Sequence, residues 1–163
     1  MSTSHADAAP AFTIRSATGD DLQAVSALLA AAHLAPNGLD AQFGPQFAVA
    51  IDAATGAVIG AVGVELYADA NDTFGLFRSA VVDERLRGHG VGGALTGNRL
   101  AWAEGASVRA LYLLTETAAD YWPRFGFERT ARDEAPAAVA VSHEWRQGCP
   151  ASAVAMRLLL PRG

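Results

Sequence analysis

The run Leu76–Val82, the turn Asp83–Leu86 and the glycine-rich Arg87-Gly88-His89-Gly90-Val91-Gly92, passing at once into a helical pattern, constrain this chain more than any other stretch. A strand that ends in alternate glycines and opens a helix leaves backbone N–H groups bare at the helix's positive end, which suits an anion such as a diphosphate. A Walker phosphate loop needs a lysine and a hydroxyl after its last glycine. Here Gly92 is followed by Gly93-Ala94-Leu95, which argues against nucleoside triphosphate chemistry. A dinucleotide fold wants its glycines early in a βαβ unit and an acidic residue about 20 residues on. This loop lies mid-chain, Arg87 replaces a small residue, and of the nearest acids, Glu104 and Glu116, the first falls at the end of the following helix.

The rest of the chain reads as alternating elements. Phe12–Arg15 alternates as a short strand, and Thr18-Gly19-Asp20-Asp21 has capping-box spacing before a helix with Leu22, Val25, Leu28 and Leu29 on one face. Ala35–Asp40 breaks that helix, and Leu39–Phe43 reads as a second short helix or a flap. Phe47–Ile51, Ala57–Tyr67 and Thr73–Val82 form consecutive hairpin-linked strands. After the glycine loop, Val91, Ala94, Leu95, Asn98, Ala101 and Trp102 fall on one helical stripe. Val108–Leu114 is a strand covered on both faces, Ala118–Phe125 a short helix closed by Gly126, and Ala153–Leu160 the last strand. A meander followed by β-α-β-α-β makes the fold α+β, with a mixed sheet.

At 163 residues and 51% hydrophobic, residues 11–163 are expected to form one domain behind a disordered leader, residues 1–10. Net charge is −5 without a basic run, so nucleic acid is not an expected partner. No apolar segment reaches membrane-spanning length, and the lone Cys149 does not imply an oxidising compartment. A cytoplasmic protein is expected. The apolar Leu158-Leu159-Leu160 permits a homodimer without demanding one.

Arg87-x-x-Gly90-x-Gly92 resembles the acyl-CoA-binding motif of the GNAT superfamily of N-acyltransferases. Flanking segments agree in order: Ala80-Val81-Val82-Asp83 before the loop, Leu95 in the helix after it, Val108–Leu114, and Tyr121-Trp122-Pro123-Arg124-Phe125-Gly126-Phe127. The joint pattern covers roughly residues 74–130, with fainter agreement from Phe12 to Leu160. The resemblance implies a mostly antiparallel central sheet flanked by helices, and transfer of an acetyl group from acetyl-CoA to a small amine by direct attack in a ternary complex. Ala80, Val81 and Val82 would line the pantetheine arm and thioester, and Gly88, His89, Gly90, Val91, Gly92 and Gly93 would offer N–H groups to the pyrophosphate. Arg87, the motif's basic position, would support the loop, and the Leu39–Phe43 segment would help wall the acceptor pocket.

The chain departs from the family pattern at the chemistry. Many relatives place a tyrosine four residues before the glycine of the Gly-Phe pair as the acid for the leaving thiolate, whereas here that residue is Trp122. Tyr121 is the substitute, set about 100° away if the segment is α-helical, and it reads either as that acid or as a packing aromatic, with solvent as the alternative proton source. Some relatives carry a basic glutamate early in the strand before the loop, but the region near Leu76 is apolar. Glu65 and Glu116 are therefore the acids to test. Glu65 reads as catalytic or as the partner of Arg78; Arg78, with the strand parity of Leu76, Ala80 and Val82, reads as that partner or as a ligand for an acceptor oxyanion. His143 and Arg146, in the insert Ser142–Ser152, are further acceptor-binding candidates. One cysteine and one histidine there do not make a metal site. The insert and Arg78-Ser79 resemble the arsenic-resistance N-acetyltransferases within the superfamily, which implies an amino acid or an oxyanion-bearing analogue as acceptor. A CoA-binding regulatory module without catalysis is the competing reading, since a fold does not by itself establish activity.

Overall fold

The computed structural model describes residues 11–34, 38–148 and 152–161. The expected leader and Cys149 lie outside the described residues. Seven strands form one mixed sheet: β1 (Phe12–Ser16), β2 (Phe47–Asp52), β3 (Val58–Ala68), β4 (Thr73–Val82), β5 (Val108–Thr115), β6 (Glu128–Thr130) and β7 (Val154–Leu159), in spatial order β1-β2-β3-β4-β5-β7-β6. Every neighbouring pair is antiparallel except β4 and β5. The helices are α1 (Leu22–Ala31), α2 (Leu39–Gln42), α3 (Val91–Gly105) and α4 (Ala137–Ala140). The α+β mixed sheet is thus the one expected. Among the described residues no helix is long and apolar enough to cross a membrane.

The two faces of the sheet bury different helices. On one, Val25 and Leu29 of α1 and Leu39 of α2 pack on Phe47, Val49, Ala61 and Val81, while Val139 of α4 packs with Phe74, Leu76 and Tyr112. On the other, Val91, Leu95 and Ala103 of α3 cover Ala48, Val62 and Val64, and Trp122 joins Phe77 and Phe127. Residues two apart on a strand share a face, so both cores follow from the pleat. The expected capping box forms: the Thr18 N–H donates to Asp21 Oδ2 at 2.8 Å, and Arg15 donates to the same oxygen at 2.8 Å. That guanidinium holds the Asp21 carboxyl below the usual carboxylate range.

Three local expectations need correction. The stripe of α3 is rotated: Val91, Leu95, Thr96, Arg99 and Ala103 are buried, whereas Ala94 and Ala101 are exposed. The reason is Arg99, whose guanidinium donates to the Pro45 and Phe47 carbonyls at 2.9 and 3.5 Å and drags its own flank inward. Burial lowers its pKa from the usual arginine value. The helix expected over Ala118–Phe125 is only a 3-10 turn, Trp122–Phe125. Pro123 lacks the N–H an α-helix would need, and Gly126, at φ +97°, ends the turn.

The third correction lies in β4. Uninterrupted alternation would put Arg78, Ala80 and Val82 on one face. Instead one extra residue is accommodated opposite Val62, because Ala61 pairs with Val81 but Gly63 pairs with Arg78. Ser79 takes this bulge at φ +58°, a conformation rare outside glycine. Beyond it Val81 faces α1 while Val82 joins the α3 side.

Candidate active site

Two backbone features build the site. β4 and β5 pair only as far as Leu76 and Tyr112, so beyond that point the parallel strands diverge and β4 keeps β3 on one edge while its other edge faces a cleft. The Ser79 bulge sits in this divergent stretch. The glycine loop follows, with Gly88 at φ +85° and Gly90 at φ +84°. Gly90 is the residue before α3, so the first N–H groups of Val91, Gly92 and Gly93 point outward without intrahelical acceptors.

Three cavities run in series along this cleft. One of about 580 Å³ lies at the loop, bordered by Gly88, Gly90, Gly92, Arg87 and Arg124. A second, of about 420 Å³ and mainly apolar, is lined by Val81, Val82, Leu95, Tyr121 and Trp122. A third, of about 530 Å³ and half polar, is lined by Arg78, Ser79, Ala80, Glu116, Trp122 and Glu144. Val82, Arg87, Gly92 and Tyr121 border both the first and second, and Ala80 and Trp122 border both the second and third. The result is one channel from the bare N–H groups of the glycine loop through an apolar neck to a polar chamber.

Of the expected cofactor residues, Ala80, Val81, Val82, Arg87, Gly88, Gly90, Val91, Gly92 and Gly93 all border the channel. His89 is exposed beside it. Arg87 also folds back, its Nε donating to the Val82 carbonyl at 3.4 Å. Tyr121 is brought into the channel because the 3-10 turn replaces the helix: a Cβ at Gly92 would lie 3.6 Å from its hydroxyl. Arg124, which the sequence reading passed over, stacks its guanidinium 4.4 Å from the Tyr121 ring centroid and donates from Nε to the Tyr121 carbonyl at 2.9 Å.

In the polar chamber Arg78 has the expected partner and also faces the cavity. Its Nη1 donates to Glu65 Oε2 at 3.1 Å and its Nε to Ser79 Oγ at 3.0 Å, yet it lines the chamber. Glu65 does not line it. The other Glu65 oxygen accepts from the Tyr67 hydroxyl at 2.7 Å, and that hydroxyl's pKa is driven up by burial and by the carboxylate it serves. Glu116 borders the chamber at its exposed rim. Neither His143 nor Arg146 is among the lining residues, and both are exposed. A residue from the same insert enters instead: Glu144, whose carboxyl burial pushes above the ordinary range, with Arg78 pulling it down and Glu65 adding to the rise.

Comparison with known proteins agrees with this geometry. A family model described as an acetyltransferase (GNAT) domain matches residues 44–129. No curated protein matches the chain in sequence. Among solved structures, an N-acetylglutamate synthase from Neisseria gonorrhoeae complexed with coenzyme A and N-acetyl-glutamate is 18% identical with a TM-score of 0.75, over 93% of this chain and 36% of that one. This chain therefore spans about a third of that enzyme. A GNAT family N-acetyltransferase, YhbS, from Escherichia coli in complex with CoA is 24% identical with a TM-score of 0.67, over 96% and 86%. An acetyltransferase of GNAT family from Staphylococcus aureus is 14% identical with a TM-score of 0.73, over 93% and 100%.

Proposed function

The chain belongs to the GNAT acetyltransferase family, and from that premise we propose that it moves an acetyl group from acetyl-CoA to the amine of a small acceptor carrying an oxyanion, an amino acid or an analogue of one. The observation that carries this reading is the single channel whose two ends differ in chemistry. At one end the N–H groups from Gly88 to Gly93 and the cations Arg87 and Arg124 suit a pyrophosphate. The apolar neck along Val81 and Val82 suits a pantetheine arm, and the divergent edge of β4 offers that arm backbone groups unused by β5.

The thioester then falls at the Ser79–Ala80 bulge, where the neck meets the chamber. A backbone N–H turned by a bulge into a water-poor cleft can stabilise the oxygen that gains charge when the amine attacks. Arg78 presents a guanidinium to the chamber from this same strand, and a carboxylate, phosphinate or arsinate on the acceptor is its natural complement. Glu65 and Tyr67 act behind it: their hydrogen bonds fix the guanidinium from the side away from the substrate. Tyr121 borders the stretch of channel that CoA would occupy and is the available hydroxyl for the departing thiolate. Trp122, at the junction, limits the space around the acyl group.

The test is release of free CoA thiol from acetyl-CoA with a panel of small amino acids, phosphinic and arsinic analogues, plain amines and peptide N-termini. Turnover is expected with oxyanion-bearing amines, at a KM at least about tenfold below that of the same amines lacking the oxyanion, as for one charged contact worth about 1.4 kcal/mol. Equal KM values with and without the oxyanion would remove the role of Arg78. Binding of acetyl-CoA without turnover on any amine would make the protein a silent acyl-CoA-binding module.

A further inference from the structure

We propose that Glu144 is the catalytic base, the group that holds the acceptor's ammonium in the chamber and takes its proton; this rests on the N-acetyltransferase reading above. Among the described residues two carboxylates line the chamber, and they differ in setting. Glu116 is exposed at the rim, where water screens it. Glu144 is half-buried, on the wall it shares with Arg78, and among the described residues no hydrogen bond reaches its carboxylate. Glu65, the third acid nearby, faces away and has both oxygens engaged by Tyr67 and Arg78.

Charge balance points the same way. Arg78 is already matched by Glu65 at 3.1 Å. Glu144 therefore adds a negative charge that this pair leaves unmatched, and a buried charge calls for a counter-ion. The charged and titratable groups around it are Arg78 from β4, Glu65 and Tyr67 from β3, and its neighbour His143. An acceptor with both an ammonium and an oxyanion completes the set, its anion on Arg78 and its cation on Glu144.

The turn that carries the carboxylate is also held in place. Glu144 opens a π-helical turn, Glu144–Gly148, between two buried anchors, Ser142 and Trp145. The Trp145 N–H donates to Ser142 Oγ at 3.2 Å, its indole N–H donates to the Arg132 carbonyl at 3.0 Å, and Arg132 Nη2 donates to the Trp145 carbonyl at 2.7 Å. The indole packs edge-on against Tyr112 at 6.1 Å. Such a support shell fixes a side chain that touches the substrate.

In the reaction Glu144 takes one proton from the ammonium, freeing the nitrogen lone pair. That pair forms the C–N bond as the carbonyl π pair moves to oxygen. The pair returns to carbon as the C–S bond breaks, its electrons leaving on sulfur, and the second proton shed by nitrogen goes to the thiolate. The products are the N-acetyl acceptor and CoA thiol, with Glu144 returning its proton to water.

The experiment compares wild type, Glu144→Gln and Glu144→Asp on the best acceptor of the panel, reading kcat/KM from pH 5 to 9 and acetyl-CoA affinity by calorimetry. For a general base, Glu144→Gln is expected to lose at least about 100-fold in kcat/KM, to lose the acidic limb of the wild-type profile and to keep acetyl-CoA affinity, with Glu144→Asp intermediate. Activity of Glu144→Gln within about fivefold of wild type, with the acidic limb intact, overturns the proposal while the acetyltransferase reading stands. No wild-type turnover on any amine overturns both. Should Glu144→Gln not fold, the wild-type profile decides: an acidic limb above the ordinary carboxylate range supports the assignment, and a rate flat from pH 5 to 8 overturns it.

Discussion

The two ends of the channel are made of different material. The loop end is backbone, a run of consecutive residues whose N–H groups converge because glycines permit φ values near +85°. The chamber is made of side chains brought from separate places: Arg78 and Ser79 from β4, Glu116 from just beyond β5, and Glu144 from a turn 28 residues after that. A backbone site tolerates exchange of its side chains and fails when its dihedrals are blocked. A side-chain site fails one group at a time, and where the lost group is paired its buried partner is left uncompensated.

The hardest break therefore lies behind the chamber. Arg78 and Glu65 side chains are 3% and 4% exposed, so Glu65→Ala leaves a buried guanidinium without its carboxylate, a loss expected to cost about 3–5 kcal/mol. Urea unfolding should register it, and the acceptor KM should rise while acetyl-CoA affinity stays. A cost below about 1 kcal/mol would mean that Arg78 does not depend on this pair. At the loop end, Gly90→Ala forces a side chain into φ +84°, with an expected strain of about 1–3 kcal/mol. Nothing lies within 4 Å of where its Cβ would sit, so the loss is conformational, and acetyl-CoA should bind at least about tenfold more weakly. Unchanged affinity would show that the loop's shape is not what holds the cofactor.

A smaller effect separates the ends by pH. Burial raises the Glu144 carboxyl in the folded protein, so the folded state keeps a proton that the unfolded chain has already lost. Stability from this group is full below the ordinary glutamate value and declines as pH rises through the raised one. Glu144→Gln removes that decline, and the variant should gain on wild type in urea unfolding between pH 4 and pH 8. A difference constant across that range would mean the carboxyl is not perturbed.

The sequence is more legible where the requirement is on the backbone. Glycines at 88, 90 and 92 announce a loop because no other residue fits so cheaply, and the strands of the meander announce themselves by alternation. The bulge was hidden because serine, not glycine, occupies φ +58° at Ser79. The rotated face of α3 was hidden because a buried arginine reads as a solvent residue until Pro45 and Phe47 supply carbonyls 54 and 52 positions away. Glu144 was passed over for His143 and Arg146, though Ser142 and Trp145, three apart and both buried, carried the signal: a residue between two anchors is held on one wall.

The smallest expected change is the sharpest test of the contrast. His89 sits inside the loop, exposed, between two glycines whose dihedrals set the path of the chain. If the loop end works through N–H groups alone, the imidazole is dispensable and His89→Ala keeps the one group that matters. Alanine is also no worse than histidine at this position, since His89 itself does not adopt positive φ. Acetyl-CoA affinity should then stay within about twofold of wild type, below about 0.4 kcal/mol. A loss of about tenfold would make the His89 side chain a ligand of the cofactor, and the loop end would depend on a side chain after all.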